Sequence, residues 1–145
     1  MSVYLDASLL VSALVEEART GDVRNWLKRV EDVLILSDFA AMEVAAALSR
    51  GVRTGRLSVE QANAALADLD ALRALTENWT PQRATFALAL EMIRDFPLKL
   101  AAPDALHLAS AATAGAALAS FDDRLLNAAR ARGVEVAQIG EAREL

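Results

Sequence analysis

Ser2-Val3-Tyr4-Leu5-Asp6 is a short, almost wholly apolar run that stops on a carboxylate. A strand with one wet face alternates apolar and polar residues. A run without alternation suits a strand covered on both faces, as in a parallel sheet. Two further runs share the pattern: Val33-Leu34-Ile35-Leu36-Ser37, and Ala117-Leu118-Ala119-Ser120-Phe121 followed by Asp122. A fourth, Val134-Glu135-Val136-Ala137, follows Gly133. Strands are therefore predicted over 2–6, 33–37, 117–121 and 134–137. Helical stretches separate them: 8–16 and 20–30, then 39–53, 58–76, 81–94 and 103–114, then 123–132. That order defines an α/β fold, a short parallel sheet of four or five strands flanked by about seven helices.

Boundary residues agree. Ser58 and Gln61 are spaced as a capping box. Pro81 and Pro103 suit the first position of a helix. Gly133 stands where a left-handed cap would close the last helix. The 145 residues show no linker and no internal repeat, so one domain over 1–145 is expected. The charged tail Glu141–Leu145 is expected to fray.

Composition excludes several classes. At 54% hydrophobic and 24% charged, the chain is neither disordered nor built for a membrane. Its longest uncharged stretch, Ala105 to Phe121, contains His107 and Gly115 and reads as helix, turn and strand. No basic, apolar leader opens the sequence, and with no cysteine a cytoplasmic location is expected. A net charge of −5 does not advertise nucleic-acid binding, although a cation held among acids reverses the local potential. Arg50, Arg53 and Arg56 form one basic cluster, and Arg124, Arg130 and Arg132 another. Both suit a solvated helix face. Arg50, Arg53 and Arg124 are also candidates to steer a phosphate backbone.

Four carboxylates carry the chemistry. Asp6 and Asp122 end two strands, and ligands of open α/β sheets bind outside such ends. Each could instead cap the helix that follows. Asp123 is the alternative to Asp122. Glu43 has Phe39, Ala40, Ala46 and Ala47 as its helical neighbours, so it projects from an apolar stripe and needs a partner: a core Arg or Lys, or a cation. Asp104 opens the helix that leads into the third strand, where the helix dipole alone would favour an acid. If these groups converge they repel, since two unit charges ~4 Å apart cost roughly 4 kcal/mol at an effective dielectric near 20. They must then hold protons or a hard divalent ion, and all-oxygen ligands select Mg²⁺ or Mn²⁺.

His107, the one histidine, follows Asp104 by three residues. It reads first as a buried polar residue of the helix layer, and second as a proton relay beside a carboxylate. Ser8 and Ser120 are spaced to hydrogen-bond Asp6 and Asp122, or to cap helices locally. Trp26, Trp79 and Phe86 are expected in the core.

Together these stretches resemble the motifs of PIN-domain nucleases, in particular the VapC-type toxins. Val3-Tyr4-Leu5-Asp6-Ala7-Ser8 is similar to their opening motif, and Ser37 to Ala47 to the second, with the family's Glu on Glu43. Pro103-Asp104-Ala105-Leu106-His107-Leu108-Ala109 and Ser120-Phe121-Asp122-Asp123-Arg124-Leu125 are similar to the third and fourth. The resemblance implies a three-layer fold and a Mg²⁺- or Mn²⁺-dependent endoribonuclease. Asp6, Glu43, Asp104 and Asp122 would be its catalytic and metal-binding residues. RNA is then the substrate, a cognate antitoxin the partner, and a homodimer the common assembly. Two alternatives stand: a catalytically silent module that binds an antitoxin or RNA, and a phosphatase or phospho-receiver. Against the second, Ala7-Ser8 rather than a second acid follows Asp6, and no Lys lies near the third strand.

Overall fold

The computed structural model describes residues 1–140. Its elements run β1 (Ser2–Leu5), α1 (Ala7–Leu14), α2 (Thr20–Arg29), β2 (Val33–Ser37), α3 (Asp38–Arg53), α4 (Val59–Leu75), β3 (Glu77–Trp79), α5 (Arg83–Arg94), α6 (Ala102–Ala114), β4 (Ala117–Ala119) and α7 (Asp123–Ala131). A 3₁₀ turn, Phe96–Leu98, joins α5 to α6. The expectation for the tail 141–145 lies outside the described residues.

The sheet is wholly parallel, in the order β3-β2-β1-β4. Register is set by Val3↔Leu34 across β1 and β2, Tyr4↔Leu118 across β1 and β4, and Leu36↔Asn78 across β2 and β3. The predicted α/β architecture holds, and both faces of the sheet are covered. Val3, Leu5 and Leu36 pack with Leu9, Leu10, Val44, Leu48 and Leu69 on one side. Tyr4, Ile35 and Leu118 pack with Met92, Leu106, Leu108 and Leu125 on the other. This two-sided burial explains why β1 reads as an unbroken apolar run.

Four expectations need correction. The strand predicted over 134–137 is reduced to one parallel bridge, Val136 to Leu118, with Glu135 exposed at the sheet edge. β3 was not predicted, because an edge strand reading Glu-Asn-Trp has no apolar run to signal it. α5 begins at Arg83, not Pro81: the Gln82 N–H donates to Thr85 Oγ1 at 3.1 Å and fixes the start beyond the proline. In α6, Pro103 takes the second helical position after Ala102. The caps fare better. Ser58 and Gln61 bond reciprocally at 2.9 and 3.0 Å, and Gly115 and Gly133 adopt positive φ where their helices end. No helix among the described residues is long and apolar enough to cross a membrane.

Candidate active site at the ends of β1 and β4

The chain builds outward from β1 to β2 to β3, then returns to lay β4 on the other side of β1. The strand order therefore reverses between β1 and β4, and the carboxyl ends of those two strands form the crevice where α/β sheets take ligands. Asp6 extends β1 there, its N–H donating to Ala119 O at 3.0 Å. Backbone geometry makes Asp6 the residue before α1, yet its side chain makes no capping bond. Instead Oδ2 accepts from Ser8 Oγ at 2.6 Å and from Ser120 Oγ at 2.7 Å, and the carboxylate is 4% exposed. Ser120 was expected to serve Asp122; its hydroxyl goes across the crevice to Asp6 and meets only the Asp122 N–H, at 3.0 Å. Ser8 Oγ also takes the Phe121 N–H at 3.2 Å, so the two serines tie both strand ends to one carboxylate.

Asp122 does cap α7. Its Oδ1 accepts from the Arg124 and Leu125 N–H groups at 3.0 and 3.2 Å. The local role expected of an Asp before a helix therefore occupies one of its oxygens. Asp104 sits in the first turn of α6, half-buried. Burial raises its pKa; the charges on Asp122, Asp6 and Glu43 raise it further, while His107 opposes them. Asp104 thus senses the charges of Asp122, Asp6 and Glu43.

Glu43 rises from α3 and pairs with neither Arg nor Lys among the described residues. Its Oε1 pairs with His107 Nε2, which also lies 3.5 Å from Asp6 Oδ1. His107 is 1% exposed and ringed by aromatic side chains, with Phe39 and Tyr4 ring centroids 5.1 and 5.7 Å away. Its Nδ1 meets the Tyr4 hydroxyl at 2.7 Å, and that hydroxyl meets Ser37 Oγ at 2.7 Å. Burial pushes the Tyr4 phenol far up, so it remains a hydroxyl. Tyr4 and Ser37 were not singled out in the sequence. The available signal was that a tyrosine buried in mid-strand requires a polar partner.

Among the described residues, no three carboxylate or imidazole groups close into a ready-made metal cage. The donor set nevertheless suits a hard divalent ion. Asp6, Glu43, Asp104 and Asp122 offer oxygen only, no Lys or Arg forms an ion pair with them among the described residues, and one buried imidazole meets two of them, Asp6 and Glu43. Cationic side chains flank it instead. Arg50 lines a cleft that also contains Ser8 and Glu43, and Arg124 lines another with Lys99, Asn127 and Asp122. Arg53 turns back to Ser49, Arg130 to Asn127 and Arg132 to Glu91. Phe86 is 56% exposed on the outer face of α5, contrary to its expected place in the core.

This crevice, with its acids at the strand ends, is the arrangement on which the family comparison bears. The PIN domain family matches residues 3–131, and the chain belongs to it. Among solved structures, the Mycobacterium tuberculosis toxin VapC20, described as cleaving the sarcin-ricin loop, superposes with a TM-score of 0.71 at 20% identity, over 87% of this chain and 94% of its own. VapBC2 from Rickettsia felis, bound to a promoter DNA fragment, gives 0.74 at 15% identity over 96% and 99%. FitAcB from Neisseria gonorrhoeae gives 0.74 at 17% over 94% and 96%. No curated protein matches the sequence.

Proposed function

We propose that the chain is a divalent-metal-dependent endoribonuclease, the toxin of a toxin–antitoxin pair. The observation that carries this is the meeting of the Asp6 and Glu43 carboxylates at one buried imidazole beside the strand-order reversal, with Asp104 near enough for their charges and that of Asp122 to raise its pKa, and with no Lys or Arg ion-paired to any of the four among the described residues. Asp6, Asp104 and Asp122 would hold Mg²⁺ or Mn²⁺, with Glu43 completing the set. A bound ion supplies the positive charge that makes hydroxide accessible from water and offsets charge at the phosphoryl oxygens. The chain's own residues do the rest. Ser8 and Ser120 keep the Asp6 carboxylate aimed, and Arg50 on one flank and Arg124 with Lys99 on the other draw the RNA backbone across the acids. Attack by water at phosphorus with cleavage of the P–O3′ bond, the 3′-oxygen leaving and taking up a proton, would give a 5′-phosphate and a 3′-hydroxyl.

The fold shared with VapBC and FitA-type complexes supports a cognate antitoxin as partner. A groove between α1, α3 and the start of α4, with Val11, Val15, Leu48 and Leu57 in its lining beside the charged Glu16, Glu17, Arg50 and Arg56, offers it a seat. Exposed Phe86, Leu90 and Phe96 favour a homodimer. A second reading, a silent module that binds antitoxin or RNA without cutting, is favoured by the absence of a closed cage among the described residues.

Cleavage of RNA with Mg²⁺, compared across wild type, Asp6→Asn and Asp104→Asn, separates the two. Loss of about 100-fold or more in either folded variant is expected. Undiminished cleavage by both would end the nuclease assignment.

A further inference from the structure

Four residues from four elements form one hydrogen-bonded line through the interior: Ser37 at the end of β2, Tyr4 in β1, His107 in α6 and Glu43 in α3. Donors and acceptors fix its direction. Nε2 of His107 faces only carboxylate oxygens, Glu43 Oε1 and, at 3.5 Å, Asp6 Oδ1, so Nε2 must carry hydrogen. In the neutral ring Nδ1 is then an acceptor, and the Tyr4 hydroxyl donates to it at 2.7 Å. The Tyr4 oxygen accepts from the Ser37 hydroxyl at 2.7 Å, and Ser37 Oγ accepts the Ala40 N–H at 2.9 Å. Every hydroxyl in the line gives one hydrogen and takes one. Run the other way, the Tyr4 hydroxyl would donate to Ser37 Oγ, which already receives Ala40, or to the neighbouring buried Ser110 Oγ; the carboxylates at Nε2 are what select the direction in the neutral ring.

We propose that Tyr4 and Ser37 are positioning residues that act through the Nε2–H tautomer of His107 to hold the Glu43 carboxylate in the acid cluster. Glu43 is the acid that needs it. Asp6 is clamped by two serines and Asp122 by two backbone amides, whereas Glu43 stands on a long side chain at the edge of solvent, with His107 its one described partner. A glutamate left free there would sample several rotamers. The line takes up one of its oxygens and leaves the other available. Partners that orient a ligand in this way are typically worth about 10–100-fold in metal affinity. That consequence rests on the nuclease assignment; the tautomer does not.

Because His107 is the only histidine, the nitrogen spectrum of the ¹⁵N-labelled protein reports it without ambiguity. In metal-free wild type we expect a protonated Nε2 and an unprotonated Nδ1, and in Tyr4→Phe a displaced Nδ1 resonance, since its donor is gone. Mn²⁺ calorimetry on the same proteins should show affinity about 10-fold lower in Tyr4→Phe and lower still in His107→Phe. His107→Gln, whose amide can still donate to Glu43, should recover part of it. Thermal melts establish that each variant is folded. A proton on Nδ1 in wild type, or wild-type Mn²⁺ affinity in a folded Tyr4→Phe, overturns the proposal. If wild type binds no Mn²⁺ at all, the nuclease assignment fails by itself, and the nitrogen spectra decide the line: an unmoved Nδ1 resonance in Tyr4→Phe overturns it, a displaced one sustains it.

Discussion

Asp104 is held at an energetic disadvantage. Its carboxyl is half-buried and faces three other acids, and its pKa is raised from the ordinary 3.8. The sign of the consequence follows. A raised folded pKa means stability that is fully present below the unfolded value and is lost as pH climbs through the folded one. Asp104→Asn removes the charge, so it should stabilise the protein near pH 7. The gain, read as a higher Tm, should shrink as pH is lowered towards 4, where the carboxyl takes up its proton. Melting curves across that range check it; a variant that melts below wild type at pH 7 contradicts it. The same substitution should abolish activity, since site carboxylates are kept at a cost to the fold. At this scale the placement of the four acids was legible, since each sits at a strand end, a helix start or an apolar stripe. Their partners were not. Tyr4 finds Ser37 at 33 residues' separation and His107 at 103, and no local pattern encodes such pairs.

The helices that carry these side chains owe their limits to caps. The box at Ser58 and Gln61 starts α4 two residues after Leu57 seals the buried Gly51, to whose carbonyl both Arg56 and Leu57 donate. Ser58→Ala should lower stability by about 1 kcal/mol, read as a lower urea midpoint with an unchanged slope, and leave Mn²⁺ affinity as it was. A fall in affinity would mean that α4 supports the site, although none of the four acids lies on it. Elements with an apolar run or a strong cap were readable in the sequence: β1, β2, β4, and α4 with its box. β3 was hidden because its residues are polar and its pairing with β2 supplies the order its sequence lacks. Val134–Ala137 promised more than it forms: its pairing with the sheet is confined to Leu118, whose N–H donates to Glu135 O and whose carbonyl accepts the Ala137 N–H.

For the molecule as a whole, strand order does what no motif can. Placing β4 beside β1 brings residues 114 positions apart, Asp6 and Ser120, to 2.7 Å, and makes the crevice from two strand ends. The sequence indicated that strand ends would carry acids; the order of the strands had to come from the fold. If the four acids hold a cation as proposed, an ion that binds only the folded state should stabilise it by about 2.7 kcal/mol at 100 times its Kd. The most direct measurement is a calorimetric titration of Mn²⁺ into wild type and Asp6→Asn at neutral pH. Saturable binding in wild type that is lost in the folded variant is the predicted result. No binding to wild type, or equal binding to both, would contradict the assignment of this cluster as a metal-dependent active site.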